Sequence, residues 1–160
     1  MRADARLAEI EDLYRLRFPH FLRVAIAITG DYDRALDSVQ DGFGNAIRSR
    51  ASFRGQGSLE AWVWRAVVNA SRDVGRSRPV PPALAIDAAE RSNGRVDSAE
   101  LRTAIAMLPE RQRLVLFLRY YADLGYREIA EVLAIKTGTV SATLNQAHRA
   151  LRRTLEEVET

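Results

Sequence analysis

Apolar residues recur three and four positions apart along most of this chain, which is the spacing that lines one face of an α-helix. No stretch alternates apolar and polar positions over the length of a strand. The pattern therefore predicts an all-α protein. It is interrupted between positions 77 and 97, and this break divides the predicted helices into two lobes.

The first lobe is predicted to hold three helices. The first runs from about Arg6 to Thr29 and is expected to kink or split at Pro19, because proline lacks an amide hydrogen and clashes with the preceding turn. The second follows Gly30, and Ser58 is a natural N-cap for the third. The apolar face of the second helix comprises Leu36, Val39, Phe43, Ala46 and Ile47, and that of the third comprises Leu59, Trp62, Val63, Ala66, Val67, Ala70 and Val74.

Prolines account for the break between the lobes. Three of them lie between positions 79 and 82, where each removes a backbone donor and disfavours helix at the residue before it. A helix must therefore stop near Arg76, and no sustained apolar face follows as far as Asp97. The predicted organisation is two small helical domains, residues 1–76 and residues 98–160, joined by a flexible linker at residues 77–97.

The second lobe has the pattern of a helix-turn-helix domain. Ser98 is the predicted N-cap of its first helix, and Pro109 opens the next helix at a position where the missing amide is not needed. A short helix is then predicted over residues 126–133, a turn over residues 134–136 and a longer helix from 137 to about 153. This order of elements is the one that places a recognition helix in the major groove of DNA.

A polar stripe on the third helix is the first candidate site. Its members lie four, three and four residues apart, on the side away from the apolar face: Arg65, Asn69, Arg72 and Arg76. A row of guanidinium groups beside an amide suits phosphates and exposed base edges. The alternative is that the stripe is a solvated outer face.

Two features near this stripe each allow two interpretations. Trp64 lies off the apolar face of its helix, so it either packs on another helix or offers its ring to an unstacked base. The segment Arg54-Gly-Gln-Gly-Ser58 precedes the helix. It is either an ordinary turn or a loop whose glycines let the backbone approach a ligand closely.

The second helix carries an outward polar stripe of its own. Asp37 and Asp41 lie on it, with Gln40 on its flank, and solvated charge explains them unless a partner covers this face. Gly42 and Gly44 lie inside the same helix, where each costs roughly 1 kcal/mol relative to alanine. They indicate either the close approach of another surface or a locally weak helix.

The basic residues of the chain are almost all arginine. Of the 24 Lys and Arg residues only Lys136 is lysine, and the 21 Asp and Glu residues leave a net charge of +3. Between Arg48 and Arg78, seven arginines stand against two acids. Arginine holds phosphates and base edges with a planar fork, so this composition permits a nucleic-acid partner without requiring one.

Composition also excludes several kinds of chemistry. The chain has no cysteine, which removes disulfides and cysteine-based metal sites or nucleophiles. His20 and His148 lie in different lobes without a partner carboxylate at motif spacing, so no catalytic residue, metal site, cofactor or small-molecule substrate is predicted. No apolar run approaches the roughly 20 residues of a membrane span, so we expect no membrane insertion and a cytoplasmic protein.

Three groups of motifs follow one another at a characteristic spacing. They are Gly30-Asp31 with Ala35-Leu36-Asp37-Ser38-Val39-Gln40-Asp41-Gly42-Phe43; Phe53-Arg54-Gly55-Gln56-Gly57-Ser58 with Trp62-Val63-Trp64-Arg65 and Asn69; and Leu108-Pro109-Glu110-Arg111-Gln112-Arg113 with Tyr126-Arg127-Glu128-Ile129-Ala130-Glu131-Val132-Leu133 and Gly138-Thr139-Val140. In this order they resemble the bacterial RNA polymerase sigma factors of the extracytoplasmic-function (ECF) type. The resemblance covers almost the whole chain.

The resemblance implies a factor that binds core RNA polymerase and directs promoter recognition and DNA melting, with promoter DNA and an anti-sigma factor as further partners. By resemblance, core polymerase is bound by Asp37, Gln40 and Asp41. The resemblance assigns the downstream promoter element to Arg54, Gln56, Ser58, Arg65, Asn69, Arg72 and Arg76. It assigns the upstream element to Lys136, Thr139, Ser141, Asn145, Gln146 and Arg149.

Two motifs depart from the family pattern. Leu36 and Ser38 stand where an acidic residue and a leucine are common in the polymerase-binding helix, and the recognition helix has few basic side chains before Arg149. Two alternatives therefore stay open. One is a sigma-like protein that binds polymerase or an anti-sigma factor without opening promoters, and the other is a stand-alone helix-turn-helix regulator.

Overall fold

The computed structural model describes residues 2–92 and 99–159. Every regular element within these two ranges is helical, as the apolar spacing predicts, and no helix in them is long and apolar enough to cross a membrane. The predicted N-cap Ser98 and the end of the predicted linker lie outside the described residues. The α-helices of the described ranges are α1 (Arg2–Thr29), α2 (Tyr32–Arg48), α3 (Leu59–Ser77), α4 (Pro82–Arg91), α5 (Ala99–Ala106), α6 (Glu110–Leu116), α7 (Tyr126–Leu133) and α8 (Thr137–Glu159).

Helices α1, α2 and α3 form the first lobe around a cluster of aromatic rings. Phe21 of α1 stacks on Trp64 of α3, with ring centroids 3.8 Å apart, and meets Phe43 of α2 edge-on at 4.8 Å. The sequence predicts a kink or a split at Pro19; helix α1 runs unbroken through it, so there is no split, and the kink stays a prediction. Phe18 and Phe21 pack against the core on both sides of the proline, and this burial keeps the helix continuous.

The close approach of α2 and α3 explains one glycine of the second helix. A Cβ atom on Gly42 would lie 2.6 Å from the Cα of Val67, so only glycine fits where the two backbones meet. A Cβ on Gly44 would meet only the tip of the Arg48 side chain, at 3.3 Å. Of the two interpretations of these glycines, close approach therefore holds for Gly42 and does not for Gly44.

Helix α4 occupies much of the segment predicted to be an aperiodic linker. The prediction that α3 stops near Arg76 is confirmed, since α3 ends at Ser77, but the absence of helix between 77 and 97 is wrong. Pro82 takes the first helical position, where proline is favoured. Ala85, Ile86 and Ala89 are buried, and α4 packs along α1.

The second lobe contains α5 to α8. Helix α6 continues into a π-helical turn at Phe117–Tyr121, which buries Phe117, Leu118 and Tyr121. Helix α7, a turn at residues 134–136 and α8 form the predicted helix-turn-helix, and Val140, Leu144 and Ala147 of α8 are buried as expected. Helix α8 is longer than predicted and reaches Glu159.

A buried contact joins α4 to both lobes. Glu90 of α4 forms an ion pair with Arg23 of α1 at 3.1 Å and accepts a hydrogen bond from the hydroxyl of Tyr121 in the second lobe. The Arg23 guanidinium also lies over the Tyr121 ring, 3.9 Å from its centroid. The buried side chains of both lobes belong to one continuous apolar cluster. The division into domains at 1–76 and 98–160 stays a prediction.

The two glycines of α2 provide a matched test of the helix contact. Gly42→Ala forces the α3 backbone away, and we expect it to lower the free energy of unfolding by about 1–3 kcal/mol. Gly44→Ala meets only a flexible side chain, so it should raise the free energy of unfolding by up to about 1 kcal/mol through helix propensity. Urea unfolding followed by circular dichroism measures both variants. Equal effects of the two substitutions would contradict the proposed packing.

Candidate nucleic-acid interface

Helix α3 presents the predicted polar stripe on its outer side. Its N-cap Ser58 accepts a hydrogen bond from the Ala61 amide at 2.9 Å, and residues on one face of the helix, such as Val63 and Val67, are buried. Three members of the stripe, Arg65, Asn69 and Arg76, are exposed, while Arg72 is half-buried. Burial of the apolar face therefore turns this row toward the surface, although its role in binding stays a prediction.

Trp64 belongs to the core and offers no surface to a base. Its side chain is 0% exposed and stacks on Phe21. Of the two interpretations of Trp64, packing on another helix is therefore correct and base stacking is wrong. Trp62, which the sequence places on the apolar face, is half-buried. Its ring centroid lies 5.5 Å from that of Phe53, beside the loop.

The loop before α3 is shaped by two glycines. Gly55 and Gly57 have φ values of +76° and +85°, in the left-handed region that side chains rarely adopt. Arg54 and Gln56 are exposed. The loop therefore presents one cation and one amide to the surface. Its backbone is open to close approach at Gly55, whereas Glu131 occupies the corresponding space at Gly57. Ser58, the third predicted contact of this loop, uses its hydroxyl to cap α3.

Acids of the second lobe lie against both the loop and α3. The backbone amide of Ser58 donates a hydrogen bond to the Glu131 carboxylate of α7 at 3.1 Å. Arg72 binds the Glu110 carboxylate of α6 through two nitrogens, at 3.0 Å and 2.8 Å. Two of the predicted contacts for the downstream element, Ser58 and Arg72, are thus joined to the second lobe.

A cluster of titratable groups lies beside this contact. Arg17 of α1 pairs with Glu60 of α3 at 3.1 Å and donates to the carbonyl of Ala122 in the second lobe. Burial, and after it the Arg17 guanidinium, lowers the pKa of His20. Burial also raises the pKa of Glu128 on α7, and the carboxylates around it add to this effect. Both shifts are toward the neutral form of the group, and burial where the lobes meet is the larger cause of each.

The predicted polymerase-binding residues lie together on α2. Asp37, Gln40 and Asp41 are all exposed. Beside Gln40, an apolar groove opens between α1 and α2, lined by side chains that include Tyr14 and Phe43. Spacing alone does not predict this groove, because it assigns Phe43 to the apolar face of α2 without showing how far α1 covers that face.

The six predicted contacts for the upstream element lie on the recognition helix α8 and at the residue just before it. Four of them are exposed and two are half-buried. Lys136, just before the helix, is exposed, while Thr139 and Ser141 are half-buried. Thr143 is buried and donates to the Thr139 carbonyl at 2.7 Å, so it is unavailable for DNA contact. The remaining three predicted contacts, Asn145, Gln146 and Arg149, are exposed.

The described ranges show no group of three or more His, Asp or Glu residues that could hold a metal ion. The candidate site is instead built from arginines, amides and backbone donors, with carboxylates facing them from the second lobe. Such a surface recognises anions and hydrogen-bonding edges. The protein thus combines a helix that carries an outward basic row, α3, with a helix-turn-helix unit, α7 and α8, in an all-helical fold.

Comparison with known proteins agrees with this architecture. The Sigma-70 region 2 family profile matches residues 8–78, and the Sigma-70 region 4 profile matches residues 98–153. The ECF RNA polymerase sigma-E factor of Escherichia coli strain K12 is 32% identical over 135 residues, which cover 72% of this chain and 70% of that protein. The RNA polymerase sigma factor YlaC of Bacillus subtilis strain 168 is 28% identical over 158 residues, 91% of each chain.

Solved structures share the fold. The structure of CnrH in complex with the cytosolic domain of CnrY has a TM-score of 0.74 and is 20% identical, covering 98% of this chain and 93% of that chain. The sigma factor RpoE from Bartonella quintana, in complex with the anti-sigma factor NepR, has a TM-score of 0.68 and is 22% identical, covering 92% and 97%. The chain belongs to the ECF-type sigma factors of RNA polymerase, which act in transcription initiation.

The turn between α7 and α8 contains a left-handed residue, whose conformation can be tested by substitution. Ala134 adopts a left-handed conformation, φ 56° and ψ 46°, at a position where glycine is usual. This conformation costs an L-residue roughly 1–2 kcal/mol. Glycine removes that cost but raises the entropy of the unfolded chain, so Ala134→Gly should raise the free energy of unfolding by about 0.5–1 kcal/mol.

Ala142→Gly, on the exposed face of α8, is the matched control. The same substitution inside a helix should lower the free energy of unfolding by about 1 kcal/mol. Thermal unfolding of both variants measures the difference. A loss of stability in Ala134→Gly similar to that of the control would mean that the turn is not left-handed at this residue.

Proposed function

We propose that this sigma factor binds core RNA polymerase through α2 and reads the melted downstream promoter element with the loop before α3 and with α3 itself. The observation that carries the proposal is the outward row of Arg65, Asn69 and Arg76, which the burial of the opposite face of α3 leaves exposed. Arginine and asparagine supply the forked donors and the amide that phosphates and base edges accept. Arg54 and Gln56 extend the same surface into the loop.

Polymerase binding is assigned to Asp37, Gln40 and Asp41. Gln40 lines the apolar groove between α1 and α2, and Asp37 and Asp41 are exposed on the same helix, so α2 offers acidic groups close to an apolar groove. Such a mixture suits a protein partner, since interfaces join an apolar centre to a polar rim. Of the two departures, Ser38 is buried and does not alter this surface, whereas Leu36 is half-buried and contributes an apolar side chain to it.

The upstream element is assigned to α8. Asn145 and Gln146 are exposed, and their amides can pair with adenine in a bidentate manner, while Lys136 and Arg149 contact phosphates. With few cations on this helix, specificity rests on neutral groups and on the first lobe. We further propose an anti-sigma factor as partner, as in the solved complex of RpoE with NepR, and a cytoplasmic protein without catalysis or cofactor of its own.

Reconstituted transcription tests the polymerase-binding assignment. Purified core polymerase with this chain should start RNA at defined positions on genomic DNA of the source organism, and core polymerase alone should not. Charge reversal in Asp37→Lys with Asp41→Lys should abolish specific initiation by weakening core binding. The control is Glu9→Lys with Asp12→Lys, which makes the same change of charge at exposed positions of α1. Equal core affinity of the two double variants would refute the assignment.

A single substitution tests the DNA assignment. Asn69→Ala should retain core binding and lower open-complex formation, by roughly 1–3 kcal/mol for a good base contact. The control is Thr103→Ala, at an exposed position of α5. Normal promoter opening by Asn69→Ala would contradict the role of α3. Core binding by the parent chain without any promoter opening would support the alternative of a sigma-like interaction protein.

A further inference from the structure

A cavity of about 170 Å³ lies where α1, α3 and the start of α4 meet α6. A single water needs about 10–15 Å³ of such volume, so the cavity has room for several waters or for one small polyatomic ion. The residues assigned to core polymerase and the loop before α3 do not line it. The cavity is therefore a separate feature of the fold, although Arg72 and Arg76 of the outward row form part of its wall.

Positive charge dominates the polar part of this wall. Three arginines line the cavity, Arg72 and Arg76 of α3 and Arg113 of α6, against one acid, Glu110. Two nitrogens of Arg72 lie 3.0 Å and 2.8 Å from Oε1 of Glu110, so these two side chains largely neutralise each other. The wall is thus left with two guanidinium groups in excess of its acids.

Arg113 is a cation partly removed from water. It is half-buried, and one of its terminal nitrogens donates to the Leu108 carbonyl. Burial lowers the pKa of Arg113, and the Glu110 carboxylate offsets only part of this effect. Because burial disfavours the charged form, an anion bound beside Arg113 would stabilise its guanidinium.

Arg76 supplies the second cation from another helix. Its ion pair with Asp73 spans 3.3 Å between side chains that are 64% and 75% exposed. Exposed pairs of this kind contribute little, so Asp73 competes weakly for the guanidinium. Arg76 and Arg113 belong to α3 and α6, so two separate elements bring donors to one cavity.

Donors from two helices suit a phosphoryl group better than a carboxylate. A carboxylate presents two oxygens in one plane and pairs with a single guanidinium fork, whereas a phosphoryl group presents three acceptor oxygens and up to two negative charges. Val80, Leu114 and Phe117 form an apolar part of the wall. Apolar walls lower the local dielectric constant and so strengthen the attraction between the arginines and an anion.

We propose that this cavity binds a small phosphate-bearing anion with one or two phosphoryl groups, held by Arg76 and Arg113, while Arg72 adds positive charge. The inference does not rest on the proposed DNA-binding role, since Arg113 belongs to none of the predicted promoter contacts. The bound anion bridges α3 and α6. It therefore stabilises the folded chain as its site fills.

Inorganic pyrophosphate is the probe for this site. Isothermal titration calorimetry of the full-length chain, with the ionic strength held constant by sodium chloride, should show saturable binding at a single site. Arg113→Gln removes a charge-assisted donor and should raise the Kd about tenfold or more. The matched control is Arg111→Gln, which makes the same change at an exposed position of the same helix and should leave the Kd unchanged.

A second pair of variants guards against a folding defect at the half-buried Arg113. Arg76→Gln changes an exposed residue of α3, and its control is Arg127→Gln at an exposed position of α7. Arg76→Gln should raise the Kd for pyrophosphate by a similar factor, and its control should not. A parent chain without saturable binding, or equal Kd values of Arg76→Gln and its control, would overturn the proposal. Promoter-specific transcription by the same parent chain would then leave the proposed function standing.

Discussion

The buried contact among Arg23, Glu90 and Tyr121 sets the arrangement on which the rest of the structure depends. It joins α1, α4 and the π-helical turn after α6 at a single carboxylate, which is 7% exposed. A buried ion pair is costly to desolvate, but removing one partner typically costs about 3–5 kcal/mol because the other charge is left unpaired. The contact therefore fixes one position of α4 and, through Tyr121, one position of the second lobe.

That arrangement places the acids of the second lobe against the first lobe. Once Tyr121 is held, α7 lies against α3, and Glu131 and Glu110 face the loop and Arg72. The same donors that suit DNA are satisfied within the chain, so they pay no desolvation cost in the packed form. The arginines of the outward row that remain exposed, Arg65 and Arg76, lie on either side of Arg72 along α3.

Local periodicity was sufficient to predict the parts of the fold that each helix specifies for itself. The outward row of α3 and the turn at residues 134–136 follow from spacing alone, because a helix turns its apolar face inward. Proline content does not predict α4, because Pro79 and Pro81 disfavour helix at the residues before them, whereas Pro82 opens the helix at its first turn. Spacing also could not show that Trp64 meets Phe21, or that Glu131 meets Ser58, since both partners are distant in the chain.

The distance between the lobes tests most directly the claim that Glu90 holds them in one arrangement. The chain has no cysteine, so Ala8→Cys on α1 with Ala142→Cys on α8 places two unique spin labels at exposed helical positions. Pulsed electron paramagnetic resonance of the free protein should give one narrow distance distribution, centred on the separation in the structure, and Glu90→Ala should broaden it toward longer distances. A broad distribution in the parent, or the same narrow one in Glu90→Ala, would contradict the claim.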